Sequence, residues 1–150
     1  MSSEEFQPSK SRMWVSVLSL IGLFIALYML AHSVGLMGPV LCGLGDCAAV
    51  EASAYSRMGG IPVSAFGVVG YVLLFTLSLA GLQPRWAEAP SIAGGITVLA
   101  FVGFGFSVYL TYLEAFVIHA WCQWCVSSAI LMTIIFFLSF AEIGRLRRAK

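Results

Sequence analysis

The chain has 150 residues, enough for one domain, of which 60% are hydrophobic and 10% charged, and its net charge is +1. Soluble domains carry about 25% charged residues, so this composition excludes a globular domain covered by water. It also shows no basic patch for nucleic acid, no internal repeat and no low-complexity tract.

The charges are clustered. No Asp, Glu, Lys or Arg occurs between Arg12 and Asp46, between Arg57 and Arg85, between Glu88 and Glu114, or between Glu114 and Glu142. Crossing a bilayer core takes about 20 apolar residues, so each gap holds one crossing and is too short for two. A backbone in lipid must satisfy its own hydrogen bonds, which makes helix the default. The pattern predicts an all-α membrane protein, a four-transmembrane-helix bundle with spans near residues 13–32, 62–82, 91–113 and 121–140. The first span is too long for the apolar core of a signal peptide, about 7–15 residues, and is read as retained.

In chain order, Lys10 and Arg12 precede the first helix. The loop at 33–61 follows and carries Cys42 and Cys47 among Gly38, Gly43 and Gly45, an arrangement that reads as a flexible arm. Asp46 is a suitable N-cap for a short helix outside the bundle, from Cys47 to about Tyr55. Gly59-Gly60 then makes a turn, and Pro62 suits the first turn of the second helix. Arg85 lies in the second loop. The loop at 114–120 has no Lys or Arg and leads to Cys122-Gln-Trp-Cys125 at the start of the fourth helix. Arg145, Arg147, Arg148 and Lys150 end the chain. Of the cations, only Arg57 is in the first loop. Positive charge favours the cytoplasmic side, so both termini and the second loop are expected there, with the cysteine-bearing loops outside. In a bacterium that outside is the periplasm, where disulfides persist.

All four cysteines therefore reach one membrane face. Cys122 is nearer the outside and Cys125 one turn deeper. At a helix start, unpaired N–H groups and the helix dipole favour a thiolate, a position shared by Cys47 and Cys122. This points to electron transfer by disulfide exchange. Two other readings of the residues stand beside it: a structural disulfide between Cys42 and Cys47, and a tetrahedral four-cysteine zinc site in a non-catalytic membrane protein. His32, His119 and Glu114, near the outer interface, are candidates for moving protons.

From Cys42 to Ala129 the chain resembles the vitamin K epoxide reductase (VKOR) family, in particular its bacterial and plant branch. The resemblance is carried by Cys42/Cys47, by Ser53 six residues later, by Gly60-Ile61-Pro62-Val63-Ser64-Ala65-Phe66-Gly67, by Tyr109-Leu110-Thr111-Tyr112-Leu113, and by Cys122-Gln-Trp-Cys125. The related DsbB enzymes place C-x-x-C in the first outside loop, unlike this chain. The resemblance implies a membrane thiol–quinone oxidoreductase that supports disulfide bond formation. Its partner would be a periplasmic thioredoxin-fold (DsbA-like) protein, and its electron acceptor ubiquinone, menaquinone or a vitamin K-type quinone, with no metal. Cys42 would form the mixed disulfide, Cys47 would exchange with Cys122, and Cys125 would meet the quinone. Ser53 would position the active site and Phe66 would pack on the quinone. Vertebrate members typically carry Asn where this chain has Val63 and Tyr where it has Ala129, so quinone reduction is expected rather than epoxide reduction. Many bacterial relatives fuse a thioredoxin domain. This chain ends at Lys150, so its partner is expected to be separate, and its location is expected to be a bacterial inner membrane.

Overall fold

The computed structural model describes residues 9–148; Lys150 and the extreme termini lie outside them. Four long apolar helices dominate: α1 (Lys10–Ser33), α3 (Val63–Leu82), α4 (Pro90–Tyr112) and α5 (Gln123–Arg148). A short α2 (Cys47–Ala52) and a two-stranded hairpin, β1 (Arg57–Met58) with β2 (Ile61–Pro62), fill the first loop. α4 continues through a π-helical turn at Leu113–Ile118, so this span runs from Pro90 to Ile118. All four are long and apolar enough to cross a bilayer. The chain is an integral membrane protein.

Local chemistry explains the short pieces. Asp46 Oδ1 accepts the Ala49 N–H at 3.0 Å and starts α2. α2 ends at Ala52, not near residue 55, because Ser53 is extended and its hydroxyl donates to the Val50 carbonyl at 2.7 Å. A single 3₁₀ turn follows at Ala54–Ser56. Pro62 stands just before α3, in the N-cap position.

The spans form a ring in which α1 packs between α3 and α5, and α4 closes against α3 and α5. Val15, Tyr71, Leu74, Ile96, Ala100 and Ile135 are buried at its centre. Large side chains such as Phe24, Val98, Phe101 and Phe137 point outward, the surface a bilayer covers. Small residues let helices approach: Gly22 lies flat against the Tyr71 ring, and Gly103 faces the Met132 side chain. The end of the bundle opposite the cysteines is closed by ions. Arg12 Nε lies 3.1 Å from Glu142 Oε1, Arg12 Nη1 donates to the Gly81 carbonyl at 2.6 Å, and Ser9 Oγ donates to Glu142 Oε2 at 2.8 Å.

Candidate active site

The first loop is fastened to the start of α5. Gly45 pairs antiparallel with Cys122, and the Asp46 N–H donates to the Trp121 carbonyl at 2.7 Å. Gly45 has φ 88° and sits so close to that carbonyl that a Cβ would strike it, so only glycine fits. Gln123 Oε1 accepts the N–H groups of Gly43 and Leu44 at 3.0 and 2.8 Å. Trp124 Nε1–H donates to the Leu41 carbonyl at 2.9 Å. The glycine-rich segment that reads as a free arm is thus docked, because its N–H and C=O groups find partners on α5.

This docking brings the two cysteine pairs together. Cys42 and Cys47 are joined in a disulfide with Cα atoms 5.9 Å apart, and Cys122 and Cys125 are thiols. Cys42 is partly exposed, whereas Cys47 and Cys122 are each 0% exposed. Sequence position alone makes Cys122 the more accessible of its pair. The structure reverses that order, since the loop covers Cys122 while Cys125 borders a cavity. A hydrogen bond from the Cys125 thiol holds Cys122 below the ordinary thiol range against the opposing effect of burial, helped by the N–H groups of Cys125 and Trp124.

The cavity measures about 180 Å³ and is bordered by α1, α2, α3, α4 and α5. Its walls are largely apolar, from Met29, Phe66, Phe106, Leu110 and Met132. Cys125 lines it, as do Ser53, Val63 and Ala129. Phe66 meets Phe106 edge-on at 6.3 Å between ring centroids. Polar side chains interrupt that wall, among them Tyr71, whose hydroxyl lies 2.8 Å from Ser128 Oγ, and Glu114, whose carboxylate accepts the Cys122 N–H at 3.2 Å. A mostly apolar hollow with a few placed polar groups is what a flat organic ligand occupies, so the lining fits a quinone ring beside Cys125.

Of the proton-transfer candidates, the structure brings Glu114 to the thiols and leaves both histidines off the cavity wall. His32 bonds to the Gly38 carbonyl and packs on Tyr28. His119 is exposed and left-handed, with φ 57°, where it ends the π turn. Sequence reasoning missed Gln123, Tyr71 and Ser128. Gln123 had one signal, a polar side chain between the two cysteines of the motif. Tyr71 and Ser128 had none, since each reads as one polar group in an apolar span. Among the described residues, no three His, Cys, Asp or Glu side chains are grouped as metal ligands.

A four-span bundle with two cysteine pairs at one mouth, beside an apolar cavity, defines a membrane protein equipped for redox chemistry. Residues 13–140 match the family model described as the Vitamin K epoxide reductase family. The chain belongs to that family, and it is a membrane oxidoreductase.

Proposed function

We propose that the chain, as one domain, oxidises the dithiol of a thioredoxin-fold protein and passes the electrons through its cysteines to a membrane quinone. One observation carries this reading: the Gly45–Cys122 pairing holds the Cys42/Cys47 loop on the start of α5 while Cys125 faces the cavity. A partner thiolate attacks Cys42, the more exposed sulfur, and Cys47 leaves. The partner's second thiol then releases it as a disulfide. Cys47 attacks Cys122 of an oxidised Cys122/Cys125 pair, Cys125 leaves, and Cys42 closes again on Cys47. Each step exchanges one S–S bond for another. The described state, with Cys42–Cys47 closed and Cys122/Cys125 reduced, is the one that follows this transfer. Quinone supplies the two-electron acceptor, and Cys125 is the thiol placed to deliver electrons to it.

Ser53 and Phe66 are read as wall residues, the first holding the end of α2 over the cavity and the second flanking the ring. Val63 and Ala129 line the same cavity without a hydrogen-bonding group, which favours reduction of a plain quinone over an epoxide. The resemblance to bacterial members favours a bacterial inner membrane, and the Lys and Arg distribution favours both termini on its cytoplasmic side with the cysteines periplasmic. The test is quinone reduction by the purified chain, driven by a reduced thioredoxin-fold protein. Turnover that disappears in each single Cys→Ser variant is expected. Wild-type protein that reduces no quinone, with stoichiometric zinc bound, overturns the reading.

A further inference from the structure

We infer that Glu114 is the proton acceptor for the Cys125 thiol when the Cys122/Cys125 pair gives up its electrons. The inference rests on the dithiol-to-quinone reading above. Glu114 is 4% exposed, although it lies close to the outer mouth of the bundle. Its Oε2 accepts the Cys122 N–H at 3.2 Å, its side chain reaches the Cys125 thiol, and it lines the cavity that Cys125 lines. The ion pairs among the described residues are at the far end of the bundle, on Glu142. A buried carboxylate without a counter-cation is costly, so taking a proton relieves it. The π turn at Leu113–Ile118 places this side chain, and such turns recur at functional sites.

The other titratable groups around it do not fill this role. Cys122 and Cys125 face it from the start of α5 as the groups being oxidised. Glu51, on α2, shares the cavity, but its Oε1 takes the Ser33 hydroxyl at 2.9 Å. The Tyr71 hydroxyl is bonded to Ser128. Among the described residues, Glu114 is the carboxylate hydrogen-bonded to a cysteine of the Cys122/Cys125 pair.

The chemistry balances. Two thiols become one disulfide, losing two electrons and two protons, and the quinone gains both to become a quinol. As Cys125 Sγ gives up its electron pair, its proton moves to the Glu114 carboxylate. Cys122 Sγ, as the thiolate, then bonds to Cys125 Sγ; the proton it shed on ionising is the second of the two. Glu114 passes its own proton into the cavity and is a carboxylate again.

The full chain in lipid nanodiscs tests this in two arms. The first needs no quinone: in a Cys122→Ser background, N-ethylmaleimide alkylates Cys125 with or without Glu114→Gln. If Glu114 accepts the proton, Glu114→Gln slows alkylation at pH 7, and raising the pH restores it. If the carboxylate only repels a thiolate, the same change speeds alkylation. An unchanged or faster rate overturns the proposal. The second arm follows reduction of ubiquinone-1 driven by dithiothreitol. Glu114→Gln should lower turnover about a hundredfold, the lower end of general acid–base contributions, with a rate that climbs with pH. Glu114→Asp should recover part of it. Trapping of a Cys47–Cys122 disulfide in Cys42→Ser/Cys125→Ser protein should survive Glu114→Gln. Loss of that disulfide together with activity makes Glu114 a packing residue and overturns the assignment. Wild-type protein that reduces no ubiquinone-1 fails the parent reading alone, and the alkylation arm still decides the role of Glu114.

Discussion

Cys122 and Cys125 are one helical turn apart and meet different surroundings. Cys122 is covered by the loop and collects hydrogen bonds from the Cys125 thiol and from two backbone N–H groups, so its thiolate is favoured. Cys125 borders an apolar cavity. The sign of the pH effect follows. A thiol held below its ordinary range becomes thiolate at lower pH, so in reduced protein carrying Gly45→Ala to loosen the covering loop, Cys122 should react with a small maleimide at lower pH than a free cysteine does. Cys125→Ala removes the strongest of those hydrogen bonds and should move the midpoint upward, read by mass spectrometry of the alkylated peptide. A midpoint unmoved by Cys125→Ala would mean that the helix start alone sets the reactivity of Cys122.

At the scale of elements, the contact between the first loop and α5 decides whether the two pairs communicate. A disulfide needs Cα atoms within about 7 Å, and the Gly45–Cys122 pairing sets the segment leading into Cys47 against Cys122. Cys42→Ser with Cys125→Ser should therefore accumulate a Cys47–Cys122 disulfide in cells, visible by non-reducing peptide mapping. Adding Gln123→Ala removes the acceptor for the Gly43 and Leu44 N–H groups and should slow its formation severalfold, at about 1 kcal/mol for a hydrogen bond. Free thiols at Cys47 and Cys122 under oxidising conditions would show that the pairs do not meet. The start of α2 was legible in the sequence because Asp46 before an alanine-rich run is a local capping signal. The docking of the loop was not, since it depends on side chains some 80 positions away in the chain, at Gln123 and Trp124. Nor was the inward turn of Glu114, because an extra residue in one helical turn leaves no periodic mark.

For the whole molecule, the four spans were legible because hydrophobic length against sparse charge is a one-dimensional signal. The ring order was not, since every span is apolar on all sides and names no neighbour. The two ends of the ring are held differently, by a docked loop at one and by Arg12, Glu142 and Gly81 at the other. Glu142→Ala leaves the Arg12 guanidinium buried and unpaired and should cost about 3–5 kcal/mol, measured as the shift in unfolding of the bundle in mixed detergent, with little change in the reactivity of Cys122. Sidedness has its own check. In an otherwise cysteine-free chain, Leu36→Cys should label with an impermeant maleimide in intact cells and Gln83→Cys should not; the opposite pattern inverts the topology. The placement of both cysteine pairs and the cavity at one mouth also has an electrical meaning. In the proposed cycle, electrons enter from the partner and leave to the quinone on the same side of the hydrocarbon, and the thiol protons are handled there too. One elementary charge moved across the bilayer would feel about 2.3 kcal/mol per 100 mV. Turnover in proteoliposomes should therefore be indifferent to a potassium diffusion potential set by valinomycin, which makes the catalytic cycle electrically silent to the membrane in which it runs.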